Sequence, residues 1–150
     1  MKIYLGTDHA GFYFKEQIKK YLIENKYEAI DCGAFILDPN DDYPDFISKV
    51  GESVEKNPGS FGIVLGKSGA GECIVANKYK NVRAFLAINE NNVKLARQHN
   101  DANVISLGSE LVTLDEAKKL IKTFLETTFS NEERHVRRID KIKDIENKCK

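Results

Sequence analysis

The stretch Gly-Lys-Ser-Gly-Ala-Gly-Glu at residues 66–72 combines three glycines with a carboxylate. Gly66, Gly69 and Gly71 allow positive φ and a close approach of the backbone to a ligand, so that several amide N–H groups can converge on one point. Such a nest of donors suits an anion, or the oxyanion of a reaction intermediate. Glu72 follows directly, in the first turn of an expected helix, where its carboxylate can act as a base. The stretch therefore predicts proton transfer beside an anion site.

Nucleotide-binding loops have a related composition but a different spacing. A P-loop ending in Gly66-Lys67-Ser68 would require a glycine at position 61, where this chain has Phe61. The order Gly-x-x-Gly-x-Gly also differs from the dinucleotide fingerprint Gly-x-Gly-x-x-Gly. A glycine-rich turn that serves only to pack a helix closely against a strand stays open for the loop taken alone.

Cys73 is the second group in this region that could move a proton. A thiol near a helix N-terminus can have a lowered pKa, which makes Cys73 a competitor of Glu72 on chemistry alone. Adjacent helical residues point about 100° apart, so the two side chains cannot face the glycine nest equally. Cys73 precedes the apolar run 74–76 and is expected to pack inward, which favours Glu72 as the base.

Alternating strand and helix patterns must position this loop. Ile63, Val64 and Leu65 form a short apolar run, typical of a strand buried on both faces of a parallel sheet. We expect strands at 2–5, 28–31, 63–65, 82–87 and 103–107, and helices at 13–25, 44–56, 72–78, 90–98, 114–129 and 132–148. These alternations predict one three-layer α/β domain over residues 1–150, with a mainly parallel sheet.

Several polar residues lie at the ends of these elements. Asp8 and His9 come just after the first strand, at the edge where open α/β sheets bind ligands. Taken singly, Asp8 suits a helix cap and His9 a solvated loop, but together at a strand end they are site candidates. Tyr43 suits either a hydrophobic staple or a substrate-lining role. His99 is near the C-terminus of a helix, and the simpler interpretation is that it is a cation favoured there by the helix dipole.

The terminal helix, at about 132–148, carries a narrow apolar stripe and a basic start. Ile139, Ile142 and Ile145 are spaced by three, a stripe that suits a neighbouring subunit as well as the chain's own sheet. Arg134 and Arg138 are four apart and share a helix face, so they can grip one phosphate with two guanidinium groups. A solvated basic turn paired with neighbouring glutamates is the alternative.

Composition excludes several classes of protein. Lys plus Arg equals Asp plus Glu at 23 each, so no overall field favours nucleic acid or an anionic membrane. Three cysteines at unrelated spacings argue against a disulfide framework and against a metal cluster. The absence of a signal peptide and of an apolar run near transmembrane length predicts a cytoplasmic protein with reduced thiols.

Six motifs, in order along almost the whole chain, carry a family resemblance. They are Asp8-His9-Ala10-Gly11, Asp42-Tyr43-Pro44, Gly-x-Ser-Gly-x-Gly-Glu at 66–72, Ala76-Asn77-Lys78, Arg97-Gln98-His99-Asn100 and Arg134-His135-x-x-Arg138. Together they resemble the ribose-5-phosphate isomerase type B family. The resemblance implies a Rossmann-like three-layer α/β/α domain with five parallel strands, a homodimer or tetramer with active sites between subunits, and no metal or organic cofactor.

The resemblance also implies interconversion of ribose 5-phosphate and ribulose 5-phosphate. One branch of the family uses a cysteine at the end of the central strand as base, and the other a glutamate after the glycines. Gly66 stands at the cysteine position here and Glu72 is present, so the chain is similar to the glutamate branch.

The roles of individual residues follow from the same resemblance. Glu72 would carry the proton between carbons, and backbone N–H groups with the Ser68 hydroxyl would stabilise the enediolate. His99 would open the furanose ring with help from Asp8, and Arg134, Arg138 and His9 would hold the phosphate. The implied substrate-binding set is His9, Tyr43, Gly66, Lys67, Gly69, Ala70, Gly71, Asn100, Arg134 and Arg138.

Two residues depart from the family pattern. Lys67 occupies a position that is usually glycine, and Glu110 one that is often a phosphate-binding arginine. A hexose-6-phosphate isomerase of the same family, acting on allose or galactose 6-phosphate, therefore stays open. A phosphosugar-binding protein without catalysis is the third alternative, against which the presence of Glu72 and His99 argues.

Overall fold

The computed structural model describes residues 1–149; Lys150 of the expected 1–150 domain lies outside them. The strands are β1 Lys2–Thr7, β2 Glu28–Asp31, β3 Phe61–Gly66, β4 Ala84–Leu86 and β5 Val104–Gly108. The helices are α1 Phe12–Glu24, α2 Pro44–Lys56, α3 Ala70–Ala76, α4 Glu90–Asn100, α5 Leu114–Glu126 and α6 Glu133–Cys149. Strand and helix alternate up to α5, as expected.

The five strands form one parallel sheet in the order β2-β1-β3-β5-β4. β3 is central, and its residues from Gly62 to Gly66 are buried, as its apolar run predicts. Because all strands run the same way, their carboxyl ends meet at one edge of the sheet, here called the carboxyl edge. Their amino ends meet at the opposite, amino edge.

Helices cover both faces of the sheet. On one face α1 and α5 bury Ile18, Leu22, Ile121 and Phe124 against the strands. On the other face α2 and α3 bury Ile47, Val50, Val54 and Ala76. This confirms the three-layer α/β/α arrangement with a five-stranded parallel sheet.

The bounds of some elements differ from the sequence-based expectation for local reasons. β1 continues to Thr7 because Thr7 still pairs with Leu65 of β3. α3 begins at Ala70, two residues early, since Gly69 takes the left-handed φ of +80° and forms the N-cap. α5 stops at Glu126, three residues early, because the next residue is extended.

The terminal helix α6 buries little of itself within the chain. Ile139 is 7% exposed, whereas Ile142 and Ile145 are 39% and 61% exposed. Within residues 1–149, no helix has both the length and the apolar character needed to cross a bilayer.

Candidate active site

The carboxyl ends of β1, β3 and β5 are tied together by short polar contacts. The Thr7 hydroxyl donates to Leu65 O at 2.8 Å, which links the ends of β1 and β3. The Ser109 N–H donates to Gly66 O at 2.9 Å, and its hydroxyl donates to Ala10 O at 3.4 Å. The loops that follow these three strands therefore meet at one place on the carboxyl edge.

The glycine-rich loop is held in a conformation that its glycines require. Gly69 has φ +80°, and a Cβ there would come within 2.7 Å of Leu86 Cδ1. The Ser106 hydroxyl fixes the loop by donating to Gly69 O at 2.6 Å. Gly71 lies against the Tyr43 ring, since a Cβ on Gly71 would stand 2.6 Å from Tyr43 Cζ. Tyr43 thus lines the loop, and its role in lining the substrate stays a prediction.

The Glu72 carboxylate is buried over the backbone of Gly66. The residue is 4% exposed, and a Cβ on Gly66 would overlap both carboxylate oxygens. Burial raises the pKa of Glu72 and the nearby negative charge of Asp8 raises it further, while the residue's own backbone N–H partly offsets the rise. A carboxyl with a raised pKa can both accept and return a proton near neutral pH. These properties are those of a general base.

Cys73 is less suited to act as the base. Its pKa is raised, first by burial and then by the neighbouring charge of Glu72, and not lowered by the helix N-terminus. Its Sγ lies 3.7 Å from Asn77 Nδ2, within helix α3 and its cap. The thiol is half-buried and stays protonated, so it is a weak nucleophile and a weak base.

Asp8 and His9 lie at the end of β1 and have different partners. Asp8 caps the short 3-10 turn that follows, its Oδ1 accepting from Ala10 N at 3.0 Å. His9 is held by Asp41, whose Oδ1 lies 2.7 Å from His9 Nδ1 and accepts from His9 N at 2.9 Å. Hydrogen bonding to Asp41 is the main cause that raises the pKa of His9.

Asp8, His9 and Asp41 offer ligand-type atoms within 4.8 Å of one another. Since His9 Nδ1 is already hydrogen-bonded to Asp41, we assign this group to an ion pair and not to a metal site.

The two departures from the family pattern contact each other. Lys67 Nζ lies 3.7 Å from Glu110 Oε1, and the Glu110 N–H donates to Lys67 O at 3.1 Å. Both side chains are about two-thirds exposed or more, at 70% and 66%, so the pair contributes little stability. The ammonium group of Lys67 is therefore paired with the carboxylate of Glu110 at the surface.

His99 and Asn100 lie far from this loop, at the amino edge. They are in the last turn of α4, and Asn103 just beyond them pairs with Gly62 at the start of β3 through a 2.9 Å hydrogen bond. From Gly62 to Gly66 the strand spans roughly 13 Å, since four steps rise about 3.3 Å each. Within one chain, His99 and Glu72 cannot reach the same pentose phosphate.

The start of α6 joins His99 at the amino edge. The His135 ring stacks on the His99 ring with centroids 4.3 Å apart and an interplanar angle of 15°. Arg134 and Arg138, on either side of His135 in the sequence, are exposed. The predicted residues thus form two sets, which we call the carboxyl-edge set and the amino-edge set. The first is Asp8, His9, Tyr43, Gly66, Lys67, Ser68, Gly69, Ala70, Gly71 and Glu72; the second is His99, Asn100, Arg134 and Arg138.

Comparison with known proteins identifies the family. The family model described as Ribose/Galactose Isomerase matches residues 3–142. The chain belongs to this family. Ribose-5-phosphate isomerase B of Mycobacterium leprae is 43% identical over 146 residues, which cover 97% of this chain and 90% of that protein.

Solved structures of the family have the same fold. Ribose-5-phosphate isomerase B from Mycoplasma genitalium, solved with bound ribulose-5-phosphate, superposes with a TM-score of 0.94 at 41% identity, covering 97% of this chain and 96% of that one. The Clostridium thermocellum enzyme gives a TM-score of 0.95 at 39% identity, covering 100% of both chains. These matches confirm the fold that the resemblance implied.

Two side chains of this family member were missed by the reasoning from sequence. Asp41 belongs to the segment 37–44, in which two prolines, an asparagine and three aspartates are typical turn formers. His135 stands inside the basic run that starts α6, yet its side chain is 4% exposed. For Asp41 the signal was weak, because its partner His9 is 32 residues away.

Proposed function

We propose that this protein is an isomerase that interconverts ribose 5-phosphate and ribulose 5-phosphate. The observation that carries the proposal is the buried Glu72 carboxylate, set over Gly66 beside the glycine-rich loop at the N-terminus of α3. Relatives of nearly the same length are named for this activity, and one was solved with ribulose-5-phosphate. No feature of the described residues favours the hexose-phosphate alternative over it.

The chemistry needs one base and one oxyanion site. Glu72 removes the proton from the carbon next to the carbonyl and returns it to the neighbouring carbon, which exchanges aldose and ketose. In this proposal the amides of the loop and the Ser68 hydroxyl stabilise the oxygen that becomes negative in the enediolate; in the free protein the Ala70 N–H donates to Ser68 Oγ at 3.3 Å. One such preplaced donor is worth about 3 kcal/mol in the transition state.

The amino-edge set acts, in this proposal, from a second copy of the chain. The partner's His99 opens the furanose ring with Asp8, and the partner's Asn100 contacts the sugar. The partner's Arg134 and Arg138 hold the phosphate with His9. Each active site is then built from the carboxyl edge of one subunit and the amino edge of the other, so the smallest active form is a homodimer.

Exposed apolar surface on α6 supports a partner subunit. A groove of about 440 Å³ runs between α6 and the edge strand β4, and its wall includes Phe85, Ile142 and Ile145. Ile142 and Ile145 are exposed in the single chain although their spacing predicts a buried stripe. A second copy that covers this face would bury the stripe and bring His99 towards another carboxyl edge. Dimer and tetramer are both compatible with this surface.

The reaction belongs to pentose phosphate metabolism, and we propose a cytoplasmic location. The free thiols of Cys32, Cys73 and Cys149 fit the reducing conditions there. The proposal needs no metal or organic cofactor, since Glu72 and the amides supply the base and the oxyanion donors.

A coupled assay that compares three substrates tests the proposed function. Ribose 5-phosphate should give a kcat/KM at least about ten-fold above that of allose 6-phosphate and galactose 6-phosphate. A ratio of this size corresponds to the loss of one specific contact between enzyme and substrate in the transition state. A preference for either hexose phosphate would replace the pentose assignment by the hexose one. If none of the three substrates is turned over, the proposed isomerase function is refuted and the alternative of a non-catalytic phosphosugar-binding protein is left.

A further inference from the structure

The pair formed by His9 and Asp41 joins two segments at the carboxyl edge. One oxygen, Asp41 Oδ1, contacts both the ring Nδ1 of His9, at 2.7 Å, and its backbone N–H, at 2.9 Å. This two-point contact fixes both the position and the rotation of the imidazole. Nε2 is then the ring nitrogen left open to a ligand, and the His9 side chain is 38% exposed.

The surroundings of Asp41 favour a positive charge on His9. The Asp41 side chain is 9% exposed, and its Oδ2 is buried without a hydrogen-bond partner among residues 1–149. Within these residues, His9 is the only basic group at ion-pair distance from Asp41. A buried carboxylate with so few partners is destabilising unless its neighbour carries the opposite charge. Protonated His9 meets that need.

The other charged groups that act on His9 have the same sign as Asp41. Asp8 is adjacent in sequence, and Asp38 lies in the same loop as Asp41; both raise the pKa of His9 through their negative charge. Burial of the ring acts in the opposite direction and is smaller than the hydrogen bond to Asp41. His9 is therefore held as a cation to a higher pH than a free histidine.

We propose that Asp41 is a positioning residue, which orients the His9 ring and keeps it positively charged so that Nε2–H donates to the phosphate of the substrate. The inference rests on the proposed function for the identity of the substrate. The contact itself is a property of the free protein. A charged donor binds a phosphate oxygen about twice as strongly as a neutral one, so the charge on His9 bears directly on affinity.

Titration of the free protein tests the first half of this proposal. The chain has three histidines, so their ring signals can be followed separately by NMR, and His9→Gln identifies the signal of His9. Asp41→Asn should lower the pKa of His9. Asp38→Asn removes the same charge from the same loop without touching the ring, and should lower it less. An unchanged His9 pKa in Asp41→Asn would refute the proposal.

Steady-state kinetics at two pH values test the second half. At about pH 6, below the ordinary histidine pKa of 6.5, the two proteins differ less in the charge of His9, so Asp41→Asn should change KM for ribose 5-phosphate less than about three-fold. At about pH 8 the variant has lost more of the cation than the wild type, so KM should rise about ten-fold relative to the wild type, with kcat within a few-fold. Equal increases at both pH values would instead mean a structural role for Asp41.

A double variant and the binding of inorganic phosphate test whether Asp41 acts through His9. Adding Asp41→Asn to His9→Gln should not raise KM further, because Asp41 acts through His9. A further rise would contradict the proposal. Inorganic phosphate, titrated at about pH 8 and followed by NMR, should bind more weakly to Asp41→Asn than to the wild type. These two NMR experiments decide the role of Asp41 even if the wild type fails to isomerise ribose 5-phosphate, a result that would refute only the proposed function.

Discussion

The carboxylate of Glu72 fills the space that a side chain at position 66 would occupy. A Cβ built on Gly66 would overlap Oε1 and Cδ of Glu72 and stand 2.8 Å from Oε2. A base carried by residue 66 and a base carried by residue 72 therefore compete for one place. This explains in physical terms why Gly66 accompanies Glu72 in this chain.

Gly66→Ala should displace the Glu72 carboxylate and lower kcat by about 100-fold, the contribution of a well-placed general base. Gly59→Ala is the matched control, since a Cβ there meets nothing within 4 Å, although its φ of +89° costs some stability. Steady-state kinetics and a thermal melt would check both variants. Full activity in Gly66→Ala would show that Glu72 does not have to lie where the structure places it.

Glu72→Gln keeps the shape of the side chain and removes the base. It should lower kcat at least about 100-fold and leave KM within a few-fold. Cys73→Ser should retain most of the activity, because the Cys73 thiol is half-buried with a raised pKa. An active glutamine variant beside an inactive serine variant would assign the proton transfer to Cys73.

The raised pKa of Glu72 makes both activity and stability depend on pH. The base form is lost as pH falls through the raised value, so kcat/KM should decline at a pH above the 4.5 of an ordinary glutamate. In the folded protein the proton is held more tightly than in the unfolded chain, so burial of this charge destabilises the fold as pH rises.

Thermal melts of Glu72→Gln would measure that cost directly. The variant should melt a few degrees above the wild type at about pH 8, at roughly 2–4 °C per kcal/mol, and close to it at about pH 4. Glu24→Gln, at an exposed position of α1, should show no such pH-dependent difference. If the difference in melting temperature between Glu72→Gln and the wild type is the same at both pH values, ionisation of the buried carboxylate does not destabilise the fold.

Arg134→Ala or Arg138→Ala should raise KM for phosphosugars by at least about ten-fold, since each removes a charge-assisted contact worth about 1.5–3 kcal/mol. Arg137→Ala offers a control on the same helix, because Arg137 is outside the proposed phosphate contacts and pairs with Glu133 at 2.9 Å, much as Arg134 pairs with Glu132 at 3.0 Å. It should leave KM nearly unchanged. If all three variants behave alike, the helix contributes only a diffuse positive field.

Mixing two inactive variants tests whether each site is built from two subunits. Glu72→Gln and His99→Asn should each be inactive alone, but a mixed dimer regains one intact site, made from Glu72 of one chain and His99 of the other. Random exchange of subunits should restore about a quarter of the wild-type activity. No recovery, with exchange proven by mass spectrometry, would place both residues in one chain's site.

A substitution in the exposed apolar stripe of α6 tests whether this surface binds the partner subunit. Ile145→Glu should weaken the dimer in light scattering and lower activity with it, because it puts a charge into the exposed stripe of α6. Ile23→Glu, at a similarly exposed position of α1, should do neither. A fully active monomer would refute the shared site.

The sequence by itself determined the features that depend on near neighbours. The apolar run 63–65 predicted a strand buried on both faces, and the glycines of 66–71 predicted a loop whose backbone takes positive φ. These follow from backbone freedom and periodicity within a few residues. The order of the motifs also sufficed to place the chain in its family.

Only the tertiary structure decided how distant residues meet. It buried Glu72 and so raised its pKa, paired His9 with Asp41, and placed Lys67 against Glu110. It also put His99 and Glu72 at opposite edges of the sheet, although both motifs had suggested one site. The reason is that burial, charge pairing and the edge at which a residue lies all depend on the path of the chain through the parallel sheet. Since β4 and β5 are parallel, the chain returns through α4 to the amino edge before β5 begins, and His99 lies at the end of that helix.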